Sequence, residues 1–236
     1  MHIMAAGSLR GALSTIIGNF INSYDYPITC EFGPAGLLSQ KVINGAVCDL
    51  FLSADKSHPM SMLELGMAQV IQPFIGNQLG ITTTPQLARQ YPNWLQLLGS
   101  SELIIGTSTP KDDPCGDYVV QLYKKINQDY PQLAENINLR TRQLVGGKTT
   151  ASIPAGLLAS EWLINTKQAD IFIGYHHYHK KIAQISQLAT VVIPDEYNIN
   201  AIYYMAQLNS SAEIFALYLM QPESRGIFIE NGFIPL

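Results

Sequence analysis

The stretch HIMAAGSLRGALSTIIGNFI, residues 2–21, passes from a short apolar run straight into an amphipathic repeat, with only small residues at the join. HIMA reads as a buried strand. From Leu9 onward, Ala12, Leu13, Ile16, Ile17, Phe20 and Ile21 recur every three or four residues through about residue 22, which is a helix with one apolar face. The same exchange of strand and helix repeats outward from this point. PITCEF is followed by a helix opened by Gly33-Pro34-Ala35-Gly36, then come strand DLFLSA and a short helix over 59–66. AQVIQPF, QLGITT, a helix near 92–98 and ELIIGTS lead to a helix from 115 whose core face is Val119, Leu122, Tyr123 and Ile126. Strand TRQLV, helix 153–165, strand DIFIG, helix 176–186, strand ATVVIP, strand NAIYYMA and helices near 210–220 and 222–231 complete the chain. Alternation of this kind predicts an α/β protein with parallel sheets covered by helices on both faces.

Composition narrows the function classes. A chain of 236 residues can bury a sizeable core as one large domain or as two lobes of about 100 residues each. Charged residues are 14% of the chain and the net charge is -4, without blocks of one sign, so a nucleic-acid surface is not expected. Cys30, Cys48 and Cys115 are an odd number at unpatterned spacing, which argues against a disulfide framework and a structural zinc site. No run of 18 apolar residues is present, so no membrane insertion is expected. MHIMAAG has neither the basic nor the apolar segment of a signal peptide; a cytoplasmic protein, or one stripped of its export signal, fits this beginning.

Three strand-to-helix turns carry the functional signal: Gly7-Ser8, Gly33-Pro34-Ala35-Gly36 and Asp113-Pro114-Cys115-Gly116. In a parallel α/β sheet such turns lie at the carboxyl ends of the strands, where ligands bind. Helix starts present unpaired N–H groups and about half a positive charge, so several together form an anion site without cationic side chains. Each turn taken singly also reads as an ordinary N-cap or turn.

The pieces AAGSLRGAL, GPAGLLSQKVINGAVCDLFLSAD, DPCGDY, RQLVGG, ADIFIGY and MQPESRGIFIENGFIPL resemble the periplasmic molybdate-binding proteins of ABC importers over residues 2–236. The resemblance implies a type II periplasmic-binding-protein fold, two α/β lobes with a central cleft joined by two crossover strands. Lobe one would comprise 1–78 and 200–236, and lobe two 79–199. It implies a monomeric, periplasmic solute-binding protein that captures molybdate or tungstate and passes it to an ABC permease, with no cofactor. Carried over by motif, the ligand-binding positions are Ser8, Ala35, Cys115, Gly147, Lys148 and Tyr175. Ala35 falls where the family has a second serine, so one hydroxyl is missing from the expected set. Pro194, Asp195 and Glu196 lie near the second crossing.

His176, His177 and His179 follow Tyr175 directly. His176 would hydrogen-bond the oxyanion, or His176 and His179, one turn apart, would offer two imidazoles to a metal or metal chelate; a solvated first turn is the plainer alternative. Another small anion is a further possibility. Cys115 at a helix start could support a thiol enzyme with a histidine base, but no GxSxG, Walker or GxGxxG pattern accompanies it. A binding protein is therefore expected rather than an enzyme.

Overall fold

The computed structural model describes residues 1–236, which divide into two compact units, Met1–Asn77 with Ala201–Leu236 and Gln78–Asn200. Unit one holds strands β1 (His2–Ala6), β2 (Thr29–Gly33), β3 (Leu50–Ser53), β4 (Val70–Asn77) and, from the far end of the chain, β10 (Ala201–Gln207). Their order is β2-β1-β3-β10-β4. The helices of this unit are α1 (Arg10–Tyr24), α2 (Ala35–Ile43), α3 (Ser57–Glu64), α10 (Glu213–Leu219) and α11 (Pro222–Glu230). Leu9, Ala12, Leu13, Ile16, Ile17 and Phe20 are all buried, so the spacing that marked α1 also marks its core face.

Unit two has the order β7-β6-β8-β5-β9. These are β5 (Leu79–Thr83), β6 (Ile105–Ser108), β7 (Thr141–Val145), β8 (Ile171–Tyr175) and β9 (Ala189–Val191). They pack with α4 (Pro85–Gln90), α5 (Trp94–Gly99), α6 (Pro114–Asp129), α7 (Pro131–Arg140), α8 (Ala159–Asn165) and α9 (His179–Ile182). Val119, Leu122, Tyr123 and Ile126 form the buried face of α6.

The expectation of parallel sheets holds for only part of each unit. β1 pairs β2 and β3 in parallel, and β6 pairs β7 and β8 in parallel. β10 runs antiparallel to β3 and β4, and β5 runs antiparallel to β8 and β9. A crossover helix returns the chain to the edge where it started and makes the next strand parallel. β5 and β10 each follow a passage between units instead. The β10–β4 register slips between Tyr203 and Tyr204, opposite Ile75 and Pro73. β4 is the edge strand of its sheet, where a proline without an N–H is tolerated.

Local boundaries also differ from the sequence reading. The helix expected over 153–165 is confined to α8, because Gly156 at φ +87° turns the chain and Leu157 N–H donates to Pro154 C=O. The helix expected over 176–186 is a 3-10 turn, His176–Tyr178, followed by the single turn of α9. α4 and α7 were not expected; each begins with a proline at its first position, and Thr84 caps α4 by accepting Leu87 N–H.

One buried side chain ties the two ends of unit two together. Asn198 accepts N–H bonds from Leu79 (3.0 Å) and Ile199 (2.8 Å), and donates to the carbonyls of Leu79 (2.9 Å) and Ile193 (3.3 Å). Its main chain turns on Pro194, whose carbonyl accepts the N–H groups of Tyr197 and Asn198. Nearby, Lys125 Nζ donates to the carbonyls of Glu196 and Asn198, and Gln78 Nε2 to Asp195.

Candidate functional site

In unit one, β1, β2 and β3 end at the same sheet edge, so the segments that follow Ala6, Gly33 and Ser53 start side by side. Ser8 and Ala35 are thereby brought to one edge. Ala35 is the first residue of α2, is buried, and contributes main chain only. Ser8 lies inside a 3-10 turn, Gly7–Leu9, that leads into α1, and it does not cap the helix. Its Oγ instead stands 2.9 Å from the hydroxyl of Tyr203. The plain reading of Ser8 as an N-cap is therefore corrected: the turn starts one residue earlier and frees the hydroxyl for a long-range partner.

The third segment at this edge carries an acidic knot. Ser53 Oγ donates to Asp55 at 2.6 Å, Ser57 Oγ donates to its other oxygen, and His58 Nδ1 stands 2.7 Å from Oδ1. Burial acts to raise the Asp55 pKa, but the bonds from His58 and the two serines outweigh it and hold the carboxyl below its ordinary value. Arg10, the cation nearest Ser8 in sequence, lies over the Phe32 ring at 4.6 Å.

In unit two, β7 and β8 flank β6 in parallel, and Cys115, Gly147 and Lys148 come together beyond the ends of β6 and β7. Their N–H groups already have partners within the chain. Asp113 caps α6 by accepting Cys115 N–H at 3.0 Å, and Asp112 accepts Lys148 N–H at 3.1 Å. Gly147 N–H donates to Thr150 Oγ1 at 3.0 Å, and Gly146 passes against the Asp113 carboxylate. Two carboxylates thus occupy donors that the resemblance assigns to an oxyanion. Sequence reading singled out the helix start but not this competition, although Asp113 before Pro114 is itself a capping signal.

Tyr175 closes β8 and is buried. His176 N–H donates to Gln78 C=O, and the rings of His176 and His179 stand 4.3 Å apart, as their spacing predicts. They do not form a solvated turn: His177 is buried, and the His179 ring lies directly over Gly80, where no side chain has room. Burial lowers the pKa of His176; burial, then the His176 charge, lowers that of His179 to about 4. Both shifts favour the neutral imidazole over the cation. No group of three His, Cys, Asp or Glu side chains is placed to hold a metal ion.

Cys115 is buried within α6. Burial pushes its thiol well above the ordinary value, and Asp113 pushes it the same way. This is the reverse of the thiolate stabilisation that a nucleophile needs. No helix is long and apolar enough to cross a membrane.

Two α/β units, each with helix starts gathered at the carboxyl ends of its parallel strands, give the architecture of the type II periplasmic-binding fold. Residues 1–234 match the bacterial extracellular solute-binding proteins, and the chain belongs to that family. It is 38% identical over 213 residues to the uncharacterized Pasteurella multocida protein PM1146, covering 90% of this chain and 88% of that one. Identity to the molybdate-binding protein ModA of Escherichia coli K12 is 23% over 244 residues, covering 98% and 87% of the two chains. Among solved structures, the periplasmic molybdate-binding protein of Azotobacter vinelandii superposes with a TM-score of 0.80 at 18% identity, covering 100% and 99%. The sulfate-binding protein SubI of Mycobacterium tuberculosis superposes at 0.82 with 12% identity, covering 100% and 86%.

Proposed function

We propose that this chain captures a tetrahedral oxyanion, molybdate or tungstate, outside the cytoplasm and delivers it to the permease of an ABC importer. In this reading Ser8 gives a hydroxyl from unit one and Ala35 its N–H. Unit two contributes main-chain donors around Cys115, Gly147 and Lys148, with the Tyr175 hydroxyl. Such neutral donors suit a dianion that has no proton to offer. The observation that carries the reading is the placement of Ser8: its hydroxyl is released from helix capping and stands where β1, β2 and β3 all end. The 23% identity to ModA adds to it.

A second reading, a different small anion, is favoured by the missing hydroxyl at Ala35 and by Asp112 and Asp113 on the donors of unit two. Calorimetry with molybdate, tungstate, sulfate, phosphate and a divalent metal separates the two. Molybdate or tungstate is expected to bind tightest, and Ser8→Ala to weaken that binding by about tenfold to a hundredfold, the range for a bond to a charged group. Failure of every oxyanion to bind more tightly than about 10 μM, near 7 kcal/mol, would overturn the proposal.

A further inference from the structure

Behind Ser8 stands a fully buried tyrosine that no motif marked. Tyr203 is on β10, and its ring is held edge-on by Phe74 and Phe233, with centroids 6.3 and 5.6 Å away. Because β10 runs antiparallel to β3 and Tyr204 pairs Ser53, Tyr203 sits at the same edge as Ser8. Its hydroxyl meets Ser8 Oγ at 2.9 Å and receives a hydrogen bond from Asn77 Nδ2 at 3.3 Å. Asn77 is also buried.

Counting protons fixes the direction of this chain. A serine hydroxyl has one hydrogen, and a fully deprotonated oxyanion can only accept. When Ser8 binds such an anion, its hydrogen goes to the ligand. The 2.9 Å contact with Tyr203 must then use the hydrogen of the tyrosine, while the tyrosine oxygen accepts from Asn77. All three bonds point the same way, Asn77 to Tyr203 to Ser8 to anion, and each polarises the next. A ligand oxygen that turns its own proton onto Ser8 makes the serine an acceptor on both sides, so the serine hydrogen loses its place in the chain and the common direction is broken.

Resting on the oxyanion reading of Ser8, we propose that Tyr203 is a positioning and specificity-determining residue: it donates to Ser8 Oγ, fixes Ser8 as a donor and disfavours singly protonated oxyanions. Its ring is locked by aromatic packing, so the Ser8 hydroxyl is held in place before the ligand arrives.

The test is a cycle of Tyr203→Phe, Ser8→Ala and the double variant, titrated calorimetrically with molybdate, sulfate and phosphate at pH 7, with thermal melts on each. Tyr203→Phe is expected to weaken molybdate binding about tenfold and to narrow the preference for molybdate and sulfate over phosphate. In the Ser8→Ala background the same change should cost less than about twofold. Placing 3-fluorotyrosine at 203, a better donor and poorer acceptor, gives the sign without removing the hydroxyl, and should hold or tighten molybdate binding.

Equal losses from Tyr203→Phe in the two backgrounds, or weaker binding with fluorotyrosine, would overturn the proposal while leaving the oxyanion reading intact. A Ser8→Ala protein that binds molybdate like the parent, or a parent that binds no oxyanion, would remove both. If Tyr203→Phe does not fold, the fluorotyrosine protein decides alone.

Discussion

Asn198→Ala should destabilise unit two by about 2–4 kcal/mol. The side chain is 5% exposed and makes four bonds, so its removal leaves the N–H groups of Leu79 and Ile199 and two carbonyls without this partner. Each such buried group costs about 1–3 kcal/mol, and water entering the vacated space recovers part of the total. Asn198→Asp sharpens the argument. Its carboxylate still accepts from Leu79 and Ile199, but it turns the two donating bonds into contacts between oxygens facing the carbonyls of Leu79 and Ile193. The folded pKa of that Asp is then raised above the unfolded value near 4. The protonated form keeps one donor, so the penalty relative to the parent is smallest below about pH 4 and grows as pH rises through the folded pKa. Both tryptophans, Trp94 and Trp162, belong to unit two, and Trp94 packs on Tyr197 with ring centroids 5.2 Å apart. Urea unfolding followed by tryptophan fluorescence at pH 4, 5.5 and 7 therefore reads this unit directly. A loss below about 0.5 kcal/mol for Asn198→Ala, or a pH-independent penalty for Asn198→Asp, would show that this side chain does not hold unit two together.

Asp113→Ala should raise molybdate affinity severalfold, because it removes a carboxylate from Cys115 N–H, while costing about 1 kcal/mol of stability through loss of the cap; calorimetry and melting together check both signs, and a fall in affinity would assign Asp113 to the ligand. His179→Gln should flatten the dependence of stability on pH. The His179 pKa is about 4 folded against 6.5 as the ordinary value, so the unfolded chain takes up more protons between them. That contribution is complete above pH 6.5 and is lost as pH falls toward 4, so parallel urea profiles for parent and variant across this window would count against it.

The amphipathic spacing of α1 and α6 was legible because each face repeats locally. Strand direction was not, since a buried run such as NAIYYMA looks the same whichever way it enters a sheet. The strand-to-helix turns brought Ser8 and Ala35 into view, the family resemblance gave them a ligand-binding role, and parallel pairing of β1 with β2 sets them at one edge. What stayed hidden depends on partners far away in sequence. Ser8 meets Tyr203 across 195 positions, and Asn198 meets Leu79 across 119. Tyr203 did leave one trace: buried Ala201, Tyr203 and Met205 alternate along β10, and a fully buried tyrosine needs a partner for its hydroxyl. Asn198 lies in PDEYNINAI, where the sequence suggested only a crossing between lobes and no role for this side chain. Asp113 shows a third kind of limit, because a residue recognisable as a helix cap turns out to hold the N–H group on which function was expected to depend.

The sheet order of unit one also dictates when it can fold. β3 and β4 do not pair with each other; β10 lies between them and arrives only after all of Gln78–Asn200 has been made. During synthesis, unit two has its whole sheet in hand, with Asn198 closing its two ends, before unit one receives its fifth and last strand. Until then β4 waits with a bare edge, and the long loop that separates it from β10 must close first. Unit two is thus the early folder and unit one the late one, and the exposed edge of β4 is where a stalled chain is most open to wrong pairing.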